Sequence, residues 1–199
     1  MGKQLKSGAS VPMADRPNIL VALNKVADDH NVDPAAIAGV IHTESVWDTR
    51  NVTGQYVGLT QVGSEFRTKH GFTKQQFLAL TAPKQIELYG TWLDDFKFKK
   101  AMSDAGVNVL ALPLARQAAV LQAEQFAPNA KSWKTALAAG DLTVRSTTSR
   151  QAAVLGDTSI GDMESYYAGF FRQRPPVYQG GAGPQAGRAA KARAGRRPR

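Results

Sequence analysis

Cysteine is absent from this chain, which excludes disulfides and thiolate metal sites and leaves the redox compartment open. Long apolar runs are missing too, and no stretch nears the roughly 20 residues a membrane-spanning helix needs. The three histidines, His30, His42 and His70, form no His-Glu-x-x-His or comparable ligand spacing, so neither a metal nor a cofactor is expected. The glycine-rich stretch around Gly54, Gly58 and Gly63 lacks both the Gly-x-Gly-x-x-Gly spacing and a following Lys-Ser/Thr, so it is not a phosphate cradle. The first ten residues include lysines but no apolar stretch behind them, and do not read as a secretory signal. Acids, finally, are missing from the C-terminal end. From Pro175 onward there are six basic residues and no carboxylate, in a Pro/Gly/Ala/Arg composition that predicts disorder. Setting those six aside reduces the net charge of +9 to +3 for the rest. The high isoelectric point therefore belongs mostly to the tail, and the body is not itself a strongly basic nucleic-acid surface.

What is present suffices for one domain with a real core, plus arms: 199 residues, 43% apolar. The organisation read from the chain is a flexible arm over 1–14, a helical body over 15–140, a helical extension over 141–174 and the basic tail over 175–199. Asp15 can cap a first helix with Pro17 in its first turn, and Ile19, Leu20, Leu23, Val26 and Ala27 along one face. Asp33-Pro34 is a cap-and-first-position signal for a second helix. Residues 48–63 predict an irregular loop or a short β-hairpin. Thr73 to Gln76 fits a capping box, Thr81-Ala-Pro83 a longer helix carrying Ile86, Tyr89, Leu93 and Phe96, and 112–126 an alanine-rich helix. Asn129 can cap a helix holding Trp133 that Gly140 ends, and a last helix covers 160–172. The fold class is mainly α.

One carboxylate stands out. Ile37, Val40, Ile41 and Glu44 fall at i, i+3, i+4 and i+7, placing Glu44 on the stripe a helix gives its core. An unpaired carboxylate there is costly to ionise and responds with a raised pKa. Held protonated near neutral pH, such an acid can donate a proton to a leaving group. A buried, salt-bridged acid is the structural alternative.

The segments Asn31-Val-Asp-Pro34, Ile41-His-Thr-Glu-Ser45 and Val57-Gly-Leu-Thr-Gln-Val62 together resemble the soluble lytic transglycosylases. Glu44 and Ser45 match that family's Glu-Ser motif. Gly58, Leu59 and Gln61 match its Gly-Leu-Met-Gln motif, with Thr60 replacing methionine. The third motif, Ala-Tyr-Asn-x-Gly, whose tyrosine helps hold the acid, has no counterpart where it is expected, at Leu121 to Asn129. There Phe126 could fill the aromatic space, and the hydrogen bond would have to come from Gln122, Gln125 or Tyr56. Tyr166 and Tyr167 read as packing residues of the last helix, one of which is a further candidate for the missing tyrosine. The stretch from Phe77 to Phe96 and the segment Gln125 to Trp133 look like transglycosylase-like proteins of bacteriophages.

The resemblance implies a lysozyme-like helical domain over 15–140 that cleaves the β-1,4 bond of peptidoglycan with a single glutamate and closes a 1,6-anhydro ring. It implies Glu44 as the acid, with Ser45, Tyr56, Gly58, Leu59, Gln61, Gln122 and Phe126 lining the substrate site. It also implies a virion-borne enzyme acting on the host cell wall during genome delivery. Gly58 would let the sugar approach the backbone and Gln61 would bond an N-acetyl or hydroxyl group. Asp48, one turn on, is the candidate second carboxylate that would permit hydrolysis, and its bland role is to bond the following loop. The rivals are therefore a muramidase and an inactive structural or DNA-associated virion protein. Partners besides the glycan are other virion proteins, and DNA or acidic polymers at the tail.

Overall fold

Two helices joined by a tight break open the fold, α1 (Arg16–His30) and α2 (Pro34–Ser45), in a computed structural model that describes residues 16–126, 131–143 and 159–173. The local sequence dictates the junction. Asn31 takes a left-handed conformation, the Asp33 carboxylate accepts the Ala35 N–H at 2.8 Å, and Pro34 occupies the first helical position. Gln117, far along the chain, accepts the Asp33 N–H at 2.7 Å and fixes this corner to the body.

A two-stranded antiparallel hairpin follows, β1 (Val52–Thr53) with β2 (Tyr56–Val57), with Val52 opposite Val57. Then come α3 (Ser64–Lys69), α4 (Lys74–Leu78), α5 (Ala82–Asp95), α6 (Phe98–Asp104), a 3-10 turn at Val109–Ala111, α7 (Leu114–Phe126), α8 (Lys131–Ala138) and α9 (Ile160–Gln173). The described residues are thus mainly helical, with one small sheet. Thr73 and Gln76 form the expected capping box. Thr81 precedes α5 as anticipated, but its side chain makes no capping bond. The seventh helix begins at Leu114 rather than Leu112, because Pro113 holds Leu112 extended. Helices α3 and α6 were not anticipated from the sequence. The expected caps Asp15 and Asn129, the arm and the basic tail lie outside the described residues.

Helix α2 is the axis of the core. Ala36, Ile37, Val40 and Ile41 are fully buried, and each large aliphatic side chain among them contributes roughly 1.5–3 kcal/mol by leaving water. Helix α1 packs on α5 and α2, while α7 and α9 pack on each other and on α2. The last contact depends on Gly39, where an added Cβ would lie 2.9 Å from Cζ of Phe171. The C-terminal helix is therefore packed into the core beside α2, although the sequence suggested a separate extension. Its Ile160, Met163 and Tyr167 are buried, and Arg116 of α7 bonds Glu164 at 2.8 Å.

Candidate active site

Glu44 lies in the last turn of α2, half-buried, where the apolar stripe of that helix ends. Burial pushes its carboxyl above the ordinary value, and a donated hydrogen bond from the Gln122 amide partly opposes this. No cation pairs with Glu44 among the described residues; its side-chain partner is that neutral amide, whose Nε2 donates to Oε1. Gln122 is itself buried in α7, and its Oε1 accepts the Tyr167 hydroxyl of α9 at 2.6 Å. Three helices, α2, α7 and α9, thus contribute one residue each to the chain Tyr167, Gln122, Glu44. Burial also pushes the Tyr167 phenol well up, so it remains a hydrogen donor.

The turn at Gly58 to Gln61 joins this cluster through its backbone. The Asn51 amide donates to the Glu44 carbonyl at 3.1 Å, and the Gly58 N–H donates to the Asn51 carbonyl at 2.9 Å, so one residue links the end of α2 to the turn. From the other side Gln125, one turn beyond Gln122, donates to the Thr60 carbonyl at 2.6 Å. Gln85 of α5 accepts the Leu59 N–H at 2.9 Å and donates to the Thr49 carbonyl at 3.0 Å. Neither Asn51 nor Gln85 was foreseen. The signal for Gln85 was a polar residue one turn before Tyr89 on an otherwise apolar stripe.

Each expected site residue then has a definite place. Gly58 has a φ of +79°, and a Cβ there would lie 2.5 Å from the Gln85 amide oxygen and 2.7 Å from the Phe77 ring. Packing beneath the turn therefore requires glycine, whatever approaches from above. Leu59 is fully buried beneath the turn. Gln61 donates back to the Gly58 carbonyl at 2.8 Å, while its own buried Oε1 finds no partner among the described residues. Ser45 is buried and commits its proton to the Ile41 carbonyl at 3.0 Å, within its own helix. Tyr56 stands exposed on the hairpin, its ring beside Gly63. Phe126 closes α7, and its side chain lies outside the described part of the structure. Asp48 accepts the Arg50 N–H at 2.8 Å, which ties it to the loop. Of the candidates for the missing tyrosine's bond, Gln122 is the one that touches the acid.

Three of the five non-glycine residues with positive φ among the described residues lie here, the others being Asn31 and Lys97. Val46 and Trp47, directly after Ser45, have φ of 54° and 67°, and Gln61 has 50°. A β-branched residue in the left-handed region is an outlier that surrounding structure must enforce, and such outliers concentrate at functional sites. Val46, 44% exposed, is the left-handed C-cap of α2, its N–H donating to the His42 carbonyl. A cleft of about 870 Å³ lies elsewhere, between His30, Asp94, Phe98 and Asn108 where α2 begins rather than where it ends. Its size carries no chemistry comparable to the Glu44 cluster. Among the described residues no three His, Asp or Glu side chains converge as a metal site would require, and no helix is long and apolar enough to cross a membrane.

Comparison with protein-family models, with curated proteins and with solved structures finds no match to this chain.

Proposed function

We propose that the protein is a lytic transglycosylase of lysozyme-like fold that cleaves the glycan strand of peptidoglycan, with Glu44 as its acid and base. The observation that carries the reading is the setting of Glu44: a carboxyl raised by burial, held by an amide instead of a cation, at the end of an apolar helix. A structural carboxylate gains most from an ammonium or guanidinium partner. A general acid needs instead a proton that persists near neutral pH. The order of the Glu-Ser and Gly-Leu-Thr-Gln segments supports the same reading, as does the strain at Val46, Trp47 and Gln61.

The chemistry follows from which carboxyl oxygen is engaged. Oε1 accepts the Gln122 N–H, so the acidic proton resides on Oε2. Transfer of that proton to the glycosidic oxygen lets the C1–O bond break, and the substrate's N-acetyl group stabilises the positive charge at C1. The carboxylate left behind takes the proton of the C6 hydroxyl as that oxygen bonds to C1. This closes the anhydro ring and restores the acid. One carboxyl suffices, and the engagement of Asp48 with its own loop favours this route over hydrolysis. On the bacteriophage resemblance we assign the activity to a virion that opens the host wall during genome delivery.

Digestion of purified peptidoglycan tests the reading directly. The expected products carry 1,6-anhydro ends by mass, whereas reducing ends would indicate a muramidase. Glu44→Gln should lower turnover about 10²–10⁴-fold with the fold intact by circular dichroism. Undiminished wall degradation by that variant would remove Glu44 from the reaction.

A further inference from the structure

We infer that Tyr167, carried by the C-terminal helix α9, is a positioning residue: its hydroxyl sets the orientation of the Gln122 amide so that the N–H end, and not the carbonyl end, meets Glu44. The inference rests on the assignment of Glu44 as the acid and adds a means of control over it.

A glutamine amide is nearly symmetric in shape, and only its partners decide which end points where. Here both ends are occupied. Nε2 donates to Glu44, and Oε1 accepts the Tyr167 hydroxyl at 2.6 Å. Thr43 also hydrogen-bonds the phenol, and by turning its proton to the phenolic oxygen instead of the Gly39 carbonyl it leaves the phenol's own proton for Gln122. Gln122 is 4% exposed, so water cannot replace a lost partner at Oε1. Without the Tyr167 hydroxyl that carbonyl would be a buried acceptor with no donor, a costly state. Rotation of the amide relieves it by turning Oε1 toward Glu44, where a protonated carboxyl is the donor at hand.

The two orientations have opposite consequences. An N–H facing Glu44 favours the carboxylate and leaves the acidic proton directed away from the amide. A carbonyl facing Glu44 favours the neutral acid and bonds the proton that the leaving oxygen should receive. Loss of the hydroxyl should therefore raise the pKa of Glu44 and slow donation at every pH. Few charges obscure this. Among the described residues, the titratable groups that feel the charge of Glu44 are Tyr89 of α5 and Tyr167 of α9. Glu124 of α7 acts on Tyr89, and His42 of its own helix lies tilted against Phe170.

The test is a carboxyl ¹³C NMR titration of Glu44, assigned by its disappearance in Glu44→Gln, in the wild type, Tyr167→Phe, Gln122→Met and the double variant. Thermal melts establish that each is folded. The expected result is an upward move of the Glu44 midpoint in Tyr167→Phe, on the order of one pH unit, and no effect of Tyr167→Phe once Gln122 is methionine. An unmoved midpoint in Tyr167→Phe overturns the inference. So does an equal move in the Gln122→Met background, which would make the phenol an ordinary packing group. In wall digestion the alkaline limb of kcat/KM should follow the titration. If Glu44→Gln digests wall like the wild type, the proposed function fails while the titration still decides the role of Tyr167.

Discussion

Two glutamates, Glu44 half-buried and Glu124 buried, lie against or on α7, and the protein treats them differently. Glu44 meets Gln122, a neutral amide. Glu124, two residues beyond Gln122, is fully buried and meets the Lys134 ammonium of α8, 2.9 Å from one carboxyl oxygen and 3.2 Å from the other. Burial pushes both carboxyls up, Glu124 to about 7. The partner makes the difference. An ammonium stabilises a carboxylate and ties α8 to α7, whereas an amide leaves the acid able to keep, lose and regain a proton. Desolvation alone thus does not separate the two acids; the absence of a counter-ion among the described residues does, and the proposed catalytic role of Glu44 rests on it.

The largest effect should come from giving Glu44 the environment of Glu124. Gln122→Lys places an ammonium where the amide stands, which should ionise Glu44 and remove the proton that the proposed reaction requires. Glycan cleavage at neutral pH should fall by about 10²-fold or more, and the ¹³C midpoint of Glu44 should drop below that of the wild type. Retained activity with a lowered midpoint would show that the acid's protonation state does not limit the reaction.

The converse change acts on stability. Measured at pH 8, where the Glu124 carboxyl raised to about 7 is ionised beside Lys134, Lys134→Met leaves it buried without its cation, which costs up to roughly 3–5 kcal/mol when one partner of a buried pair is removed. In a chain of this size that lowers Tm by about 10 °C. Combining it with Glu124→Leu should recover most of the loss, since an apolar pair no longer carries an isolated charge. Glu44→Gln, by contrast, should leave Tm close to the wild type. A large loss of Tm there would mean that both acids are structural.

The features legible in the sequence were local ones. Asp33-Pro34 and the Thr73 to Gln76 box declare themselves because cap and partner are two or three residues apart. The buried stripe of α2 was legible by its period, and so was the anomaly of an acid on it. Helices α3 and α6, with 6 and 7 residues, are too short for a period to register. The cluster around Glu44 was legible only in part, because its bonds span long separations: 78 residues from Glu44 to Gln122 and 45 more to Tyr167. Gln122 could be named among three candidates, but only packing selects it. Tyr167 sits in a helix that sequence pattern set apart from the body, and Gly39, which admits that helix, looks like any helical glycine until Phe171 is placed against it.

The smallest effect concerns pH, and its sign is what makes it informative. The Glu124 carboxyl is raised from 4.5 to about 7 in the folded protein by burial. Between those values the folded state holds a proton that the unfolded chain has released, so raising the pH favours unfolding. Its contribution is fully present below about 4.5 and is lost as pH rises through about 7, on the order of 3 kcal/mol across the window. Glu44, also raised, adds a dependence of the same sign, so the measurement belongs in the Glu44→Gln background. Urea midpoints there should fall from pH 4.5 to pH 7.5, and adding Glu124→Gln should flatten the slope. An unchanged slope would mean that Lys134 keeps Glu124 ionised throughout. Glu44, in its uncharged surroundings, would then be the one of the two acids that holds its proton against rising pH.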